Sequence, residues 1–250
     1  MRPWSKEDVL GLPMKPRWNQ FDVRRAAEGL AKFDRMLTDL PQVARVWLIS
    51  EHEVLAQVMC LYLGLKPMWF ACNSEIVGVG GFSEVVRNRV AGDFEFVDVY
   101  DGYFVNPGVA LEVVGSHPEL MPYVRSEASL YQMLRDLRDD NRDRVGGRDD
   151  VRFVMEGLLL GYPLADVLAF NNPGLQTAFD NEDQDVGAPN YGFFYWSISE
   201  ARRQRFLAKV DEVFVRSGAV RYLDGIYEAG QVVERDKRKV FYPRVRSLLA

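Results

Sequence analysis

Histidine and cysteine are nearly missing from this chain: 250 residues hold two histidines and two cysteines, His52, His117, Cys60 and Cys72. A structural zinc site needs four Cys or His ligands and a catalytic one usually three protein ligands, so no metal site is expected. There is no CxxC pair and no GxSxG, and neither histidine lies near a cysteine in sequence, which leaves nucleophilic catalysis without its usual base. Long apolar runs are lacking as well. No stretch approaches the roughly 20 apolar residues of a membrane span, and the opening MRPWSKEDVLGLP has no apolar signal-peptide core, so a cytoplasmic protein with no membrane partner is expected. Positive charge is not in excess: a net charge of −5 and a pI near 5.3 argue against a dedicated nucleic-acid binder. Lysine is sparse beside arginine, a bias of high-GC bacterial and phage genomes, from which a bacterial origin is expected.

What is present is ordinary globular chemistry, 48% hydrophobic and 27% charged, enough for one sizeable core. Pro3, Pro13 and Pro16 deny the start a continuous helix, so residues 1–21 read as an extended arm. Residues 22–250 read as one compact domain, with possible subdomains 22–106, α/β in character, and 107–250, mainly helical. Cys60 and Cys72 read as buried thiols in a reducing compartment, the alternative being a disulfide between them.

From Asp22 the apolar positions Val23, Ala26, Ala27, Leu30, Phe33 and Leu37 keep helical spacing until Pro41. Val43 to Ile49 reads as a buried strand, and Ser50 with Glu53 reads as a capping box opening a helix that Gly64 ends. Met68 to Cys72 reads as the next strand, which completes a βαβ unit with parallel strands. Ile76 to Val79, a helix from Ser83 to Val90 and Phe94 to Tyr100 repeat the pattern. The fold class expected is therefore α/β, with a small parallel layer over about 43–105. Beyond Pro107 the periodicity is helical, with helices starting near Ser126, over Asp149 to Leu160, from Pro163 to Phe170, and from a Ser197–Glu200 cap to Gly218.

Open parallel sheets bind ligands outside the carboxyl ends of their strands, which points to the residues after positions 49, 72, 79 and 100. Ser50, Asn73, Gly80, Gly81, Asp98 and Asp101 are the ligand-binding candidates there, with Glu51 and His52 as candidate catalytic groups at a helix start that would favour an anion. Capping and turn chemistry is the alternative for the same residues. Gly78-Val79-Gly80-Gly81-Phe82-Ser83 looks like a degraded dinucleotide fingerprint, with Asp98 twenty residues beyond Gly78. The long connection 171–196 carries Asp180, Glu182, Asp183 and Asp185, then Tyr191 and Trp196, which could wall a ligand. An EF-hand is excluded, because Tyr191 or Phe194 stands where the bidentate glutamate is required. The tail with Lys237, Arg238 and Lys239 reads either as a solvated arm or as a contact for nucleic-acid phosphates.

Two segments, Cys60-Leu61-Tyr62-Leu63-Gly64-Leu65-Lys66-Pro67 and Met155-Glu156-Gly157-Leu158-Leu159-Leu160-Gly161-Tyr162-Pro163-Leu164-Ala165-Asp166-Val167, resemble an uncharacterised bacterial domain family. Its pattern is H-E-x-G-x-F-L-G-Y-P-x-x-D-V, followed by a G-x-W element and an A-x-x-x-F helix, echoed by Gly192, Trp196, Ala201 and Phe206. The resemblance implies no known activity. Met155 replaces the family's histidine, so if that His-Glu pair were catalytic, Glu156 would stand here alone. Gly161, Tyr162, Pro163 and Asp166 also have a structural reading, a helix stop followed by the proline and carboxylate that open the next helix.

These residues lead to a small-ligand or protein-partner binding module as the expected function. The alternatives are an enzyme on a small anionic or nucleotide-like substrate at the strand ends, and a nucleic-acid accessory protein. The sequence names no cofactor.

Overall fold

The computed structural model describes residues 19–70, 82–97, 102–117, 124–139, 151–170 and 200–222. Helix α1, Val23–Asp39, starts where Asp22 accepts hydrogen bonds from the N–H groups of Arg24 and Arg25 at 2.9 and 3.2 Å. Ala26, Leu30, Phe33 and Leu37 are buried along its inner face, as their spacing predicts.

Val43 to Ile49 is a helix and not a strand: α2 spans Gln42–Ser50 with Pro41 at its N-cap. Burial inside this apolar run gives the reason. Ala44 and Leu48, four apart, are 1% and 0% exposed, whereas Val43 and Val46 are 57% and 59% exposed. A short apolar run cannot tell a buried strand from a helix by composition, and here only one helical face is covered. The capping box fails with it, since Ser50 is the last residue of α2 and Glu51 caps α3, His52–Tyr62, without a side-chain hydrogen bond.

The parallel layer is likewise overturned. Strands β1, Met68–Phe70, β2, Glu95–Val97, and β3, Tyr103–Val105, form one sheet in the order β1-β3-β2, and both pairings are antiparallel. Helices make up 73% of the described residues, so the class is mainly α with a small antiparallel sheet. β3 returns after β2 and occupies the place between β1 and β2, while residues 98–101 that join β2 to Gly102 lie outside the described residues. The two outer strands do point the same way, but neither pairs with the other. The expected strand at Ile76–Val79 lies outside the described residues.

The sheet separates two apolar layers. Trp69, Phe96 and Phe104 face one side, where Phe104 stacks on Trp69 with 5.3 Å between ring centroids. That side is covered by α1, α2, α3, α4 (Phe82–Ala91) and α9 (Glu200–Ser217), the last of which packs on α1. Met68, Val97, Tyr103 and Val105 face the other side, against α5 (Pro107–Ser116), α6 (Glu127–Asp139), α7 (Val151–Leu159) and α8 (Leu164–Phe170). Each wholly buried Phe or Leu contributes about 1.5–3 kcal/mol of transfer free energy, so both layers are substantial cores. Gly29 permits the closest helix approach, since a Cβ there would stand 1.9 Å from the Tyr62 carbonyl oxygen.

Candidate functional site

One edge of the sheet gathers chain ends. Tyr103 opens β3 opposite Phe70, the last residue of β1, and opposite Val97, the last residue of β2. Both outer strands therefore finish at the edge where β3 begins. Tyr103 is wholly buried, and its hydroxyl donates to Glu156 Oε1 at 2.5 Å. Glu156 lies half-buried on α7, beside Gly157, where a Cβ would come within 2.7 Å of Val167 Cγ1 on α8. The close α7–α8 packing and the phenol together fix the carboxylate at the sheet edge. Among the described residues no cation pairs with it, whereas Asp34, Asp39, Asp93 and Glu112 each meet an arginine.

The turns that follow α3 and α7 have the same construction. Gly64 and Gly161 sit at φ +71° and +88°, a region costly for residues with a Cβ. After α3, Leu65 N–H donates to Cys60 O and Gly64 N–H to Leu61 O; after α7, Tyr162 N–H donates to Gly157 O and Gly161 N–H to Leu158 O. Each is a Schellman turn. Gln20, 5% exposed, joins them: its Nε2 donates to Leu65 O at 2.8 Å and to Gly161 O at 2.7 Å. Tyr162 then packs against both apolar layers, Pro163 O accepts from the N–H groups of Asp166 and Val167, and Asp166 is buried in the first turn of α8. No family model, curated protein or solved structure matches this chain.

Ser50, Glu51 and His52 stand at the junction of two helices and not at a strand end, with Glu51 exposed. Asn73, Gly80, Gly81, Asp98, Asp101, Tyr191 and Trp196 lie outside the described residues, as do Cys72 and the basic tail. The strands leading to Asn73 and Asp98 do end at the Tyr103 edge. Of the three candidate catalytic residues, Glu156 is shown with a side-chain partner. Tyr103 was not among the residues singled out in the sequence.

Other polar groups are held elsewhere. Lys66, 3% exposed, donates to Gln57 Oε1 at 2.6 Å, near Cys60, whose thiol burial pushes up to about 12 against the pull of the Lys66 cation. Burial and the hydrogen bond to Asp93 also push the Tyr62 phenol well above its ordinary value. Among the described residues no three His, Cys, Asp or Glu side chains are grouped to hold a metal ion, and no helix is long and apolar enough to cross a membrane. The large apolar side chains that stay exposed there are Val43 and Val46 on α2 and Val85 on α4, two helices packed against each other.

Proposed function

We propose that this protein binds a small ligand at the Tyr103 edge of the sheet, with Glu156 as its polar anchor. The observation that carries the reading is the 2.5 Å hydrogen bond from a fully buried tyrosine to a half-buried carboxylate at the point where β1 and β2 both end. Ligand sites combine an apolar surround with a few fixed polar groups, and the pair stands beside the apolar layer to which Met155, Leu159, Val97 and Val167 belong. Thermal unfolding of wild type and Glu156→Gln against panels of ammonium compounds, carboxylates, nucleotides and sugars tests it. A ligand at 100 times its dissociation constant stabilises by about 2.7 kcal/mol, a shift of roughly 2–4 °C per kcal/mol in a chain of this size. The expected result is a class of compound that raises Tm in wild type and not in the variant. A panel with no Glu156-dependent shift contradicts the reading.

A second reading has its own support in Val43, Val46 and Val85. Single exposed apolar residues are common, but Val43 and Val46 stand three apart on the open face of α2, and Val85 is exposed on α4, the helix packed against it. A photo-crosslinking residue at Val46 is expected to give discrete protein adducts in cells, and one at the exposed Glu28 none. Equal yields at both positions contradict this second reading.

A further inference from the structure

We infer that residues 19–22 form a strap that locks the turn between α7 and α8 to the turn after α3, so that the two turns open together when the Gln20 amide lets go. The strap is built locally. Asn19 Oδ1 accepts from the Phe21 N–H at 3.2 Å, Asp22 N–H donates to Asn19 O at 3.3 Å, and the Asp22 carboxylate then caps α1. This turn sends neighbouring side chains to different parts of the molecule. Phe21 meets Phe206 of α9 edge-on at 5.7 Å, with the Lys209 ammonium 5.3 Å from its ring. Gln20 donates to Leu65 O on the side of α1 and α3, and to Gly161 O on the side of α7 and α8.

The geometry makes the two turns depend on one another. A single nitrogen shared between two carbonyl oxygens is matched only while both turns are in place, and displacing either one strands a buried polar group. The turn after α7 does not move alone, because Gly157 lets α7 pack closely on Val167 of α8. Tyr162, next to Gly161, packs against both apolar layers, so lifting this turn also withdraws a ring from between them. The ion pair that crosses from α1 to α5, Arg25 with Glu112, is 26% and 47% exposed and screened by solvent, which leaves the buried amide as the stronger link. Glu156 rides on α7, so the strap governs the mobility of that carboxylate without touching it.

Native-state amide hydrogen exchange of the full chain tests the lock in wild type, Gln20→Met and Asp34→Ala. Methionine keeps the length and hydrocarbon of the side chain and removes the donor. Asp34→Ala loosens α1 at a contact remote in sequence from the strap and reports what a general loss of stability does to exchange. Gln20→Met is expected to speed exchange about tenfold or more at Leu65 and Lys66 and, together with them, at Gly161 and Tyr162, the loss of two buried hydrogen bonds. The rise at both turns is expected to exceed any rise at Leu30 and Phe33 in α1, and Asp34→Ala is expected not to reproduce that pattern. A rise at one turn without the other, an equal rise through α1, the same pattern in Asp34→Ala, or no rise at either turn would each show that the strap is not a lock.

Discussion

Gln20 and Gly161, 141 positions apart in the chain, are joined by a 2.7 Å hydrogen bond from the glutamine Nε2 to the glycine carbonyl oxygen. The same nitrogen donates to Leu65 O, so one buried amide ties the turn after α3 to the turn after α7. Both turns lie within the segments 60–67 and 155–167, and the second holds the packing beside Glu156.

Removing that amide is expected to be costly. Gln20→Ala leaves two carbonyl oxygens without their donor, and each buried unsatisfied group costs about 1–3 kcal/mol. Urea unfolding checks it: a loss of at least about 1 kcal/mol agrees with the geometry, and a change within the usual surface range of about 0.5 kcal/mol contradicts it.

Two glycines in helices are expected to respond in opposite ways. Gly29→Ala places a methyl group 1.9 Å from the Tyr62 backbone oxygen, so α1 and α3 must move apart, and a loss of several kcal/mol is expected. Gly115, near the end of α5, has nothing within 4 Å of its would-be Cβ. Gly115→Ala is expected to be neutral or to stabilise by up to about 1 kcal/mol, because alanine is the better helix former. Thermal melts of the pair decide, and similar losses at both positions would refute the packing described.

Asp34 accepts from the hydroxyl of Tyr222 and from Arg221, and so holds the turn that follows α9 onto α1. The Tyr222 ring also meets Phe33 edge-on at 5.1 Å. Asp34→Ala is expected to lower stability more than Arg216→Ala, which removes an ion pair whose side chains are 60% and 55% exposed. Exposed pairs of that kind contribute about 0.3–0.5 kcal/mol. Hydrogen exchange at residues 219–222 is the sensitive readout, and unchanged protection in Asp34→Ala contradicts the latch.

How much of this was legible in sequence depends on which interactions are local. The helix stops at Gly64, Gly161 and Gly218 are written in single residues with positive φ, and each was placed correctly. Val43–Ile49 was misread because seven consecutive, mostly apolar residues carry no period of their own. The exposed valines that identify the helix are visible only once the neighbours are in place. Strand pairing was misread for a related reason: parallel order was inferred from strand, helix and strand in succession, whereas β3 lies between β1 and β2 and is antiparallel to both. Glu156 was singled out in the sequence, but its hydrogen-bond partner Tyr103 lies 53 positions away and nothing local links them.

Alkaline pH gives a further test. The Cys60 thiol is raised in the folded protein from its ordinary 9.0 to about 12, so above pH 9 the unfolded chain releases this proton first and gains stability relative to the native state. Stability is therefore full below pH 9 and falls between 9 and about 12, with a limiting slope of about 1.4 kcal/mol per pH unit from this group. Tyr62 adds to the fall from its ordinary value of 10.0 upward. Urea denaturation at pH 8, 9, 10 and 10.5 is expected to show a shallower decline in Cys60→Ala than in wild type. Parallel declines would mean that Cys60 is not buried as described.

The most direct test of the central claim, that the Tyr103–Glu156 edge is the binding site, is to map where a stabilising ligand lands. Amide shifts of the full chain are followed as the compound with the largest Glu156-dependent rise in Tm is added. The account predicts the largest changes at Val97, at Tyr103 and Phe104, and along Met155, Glu156 and Gly157. Changes centred instead on Val43 and Val46, or spread without a focus, would contradict it.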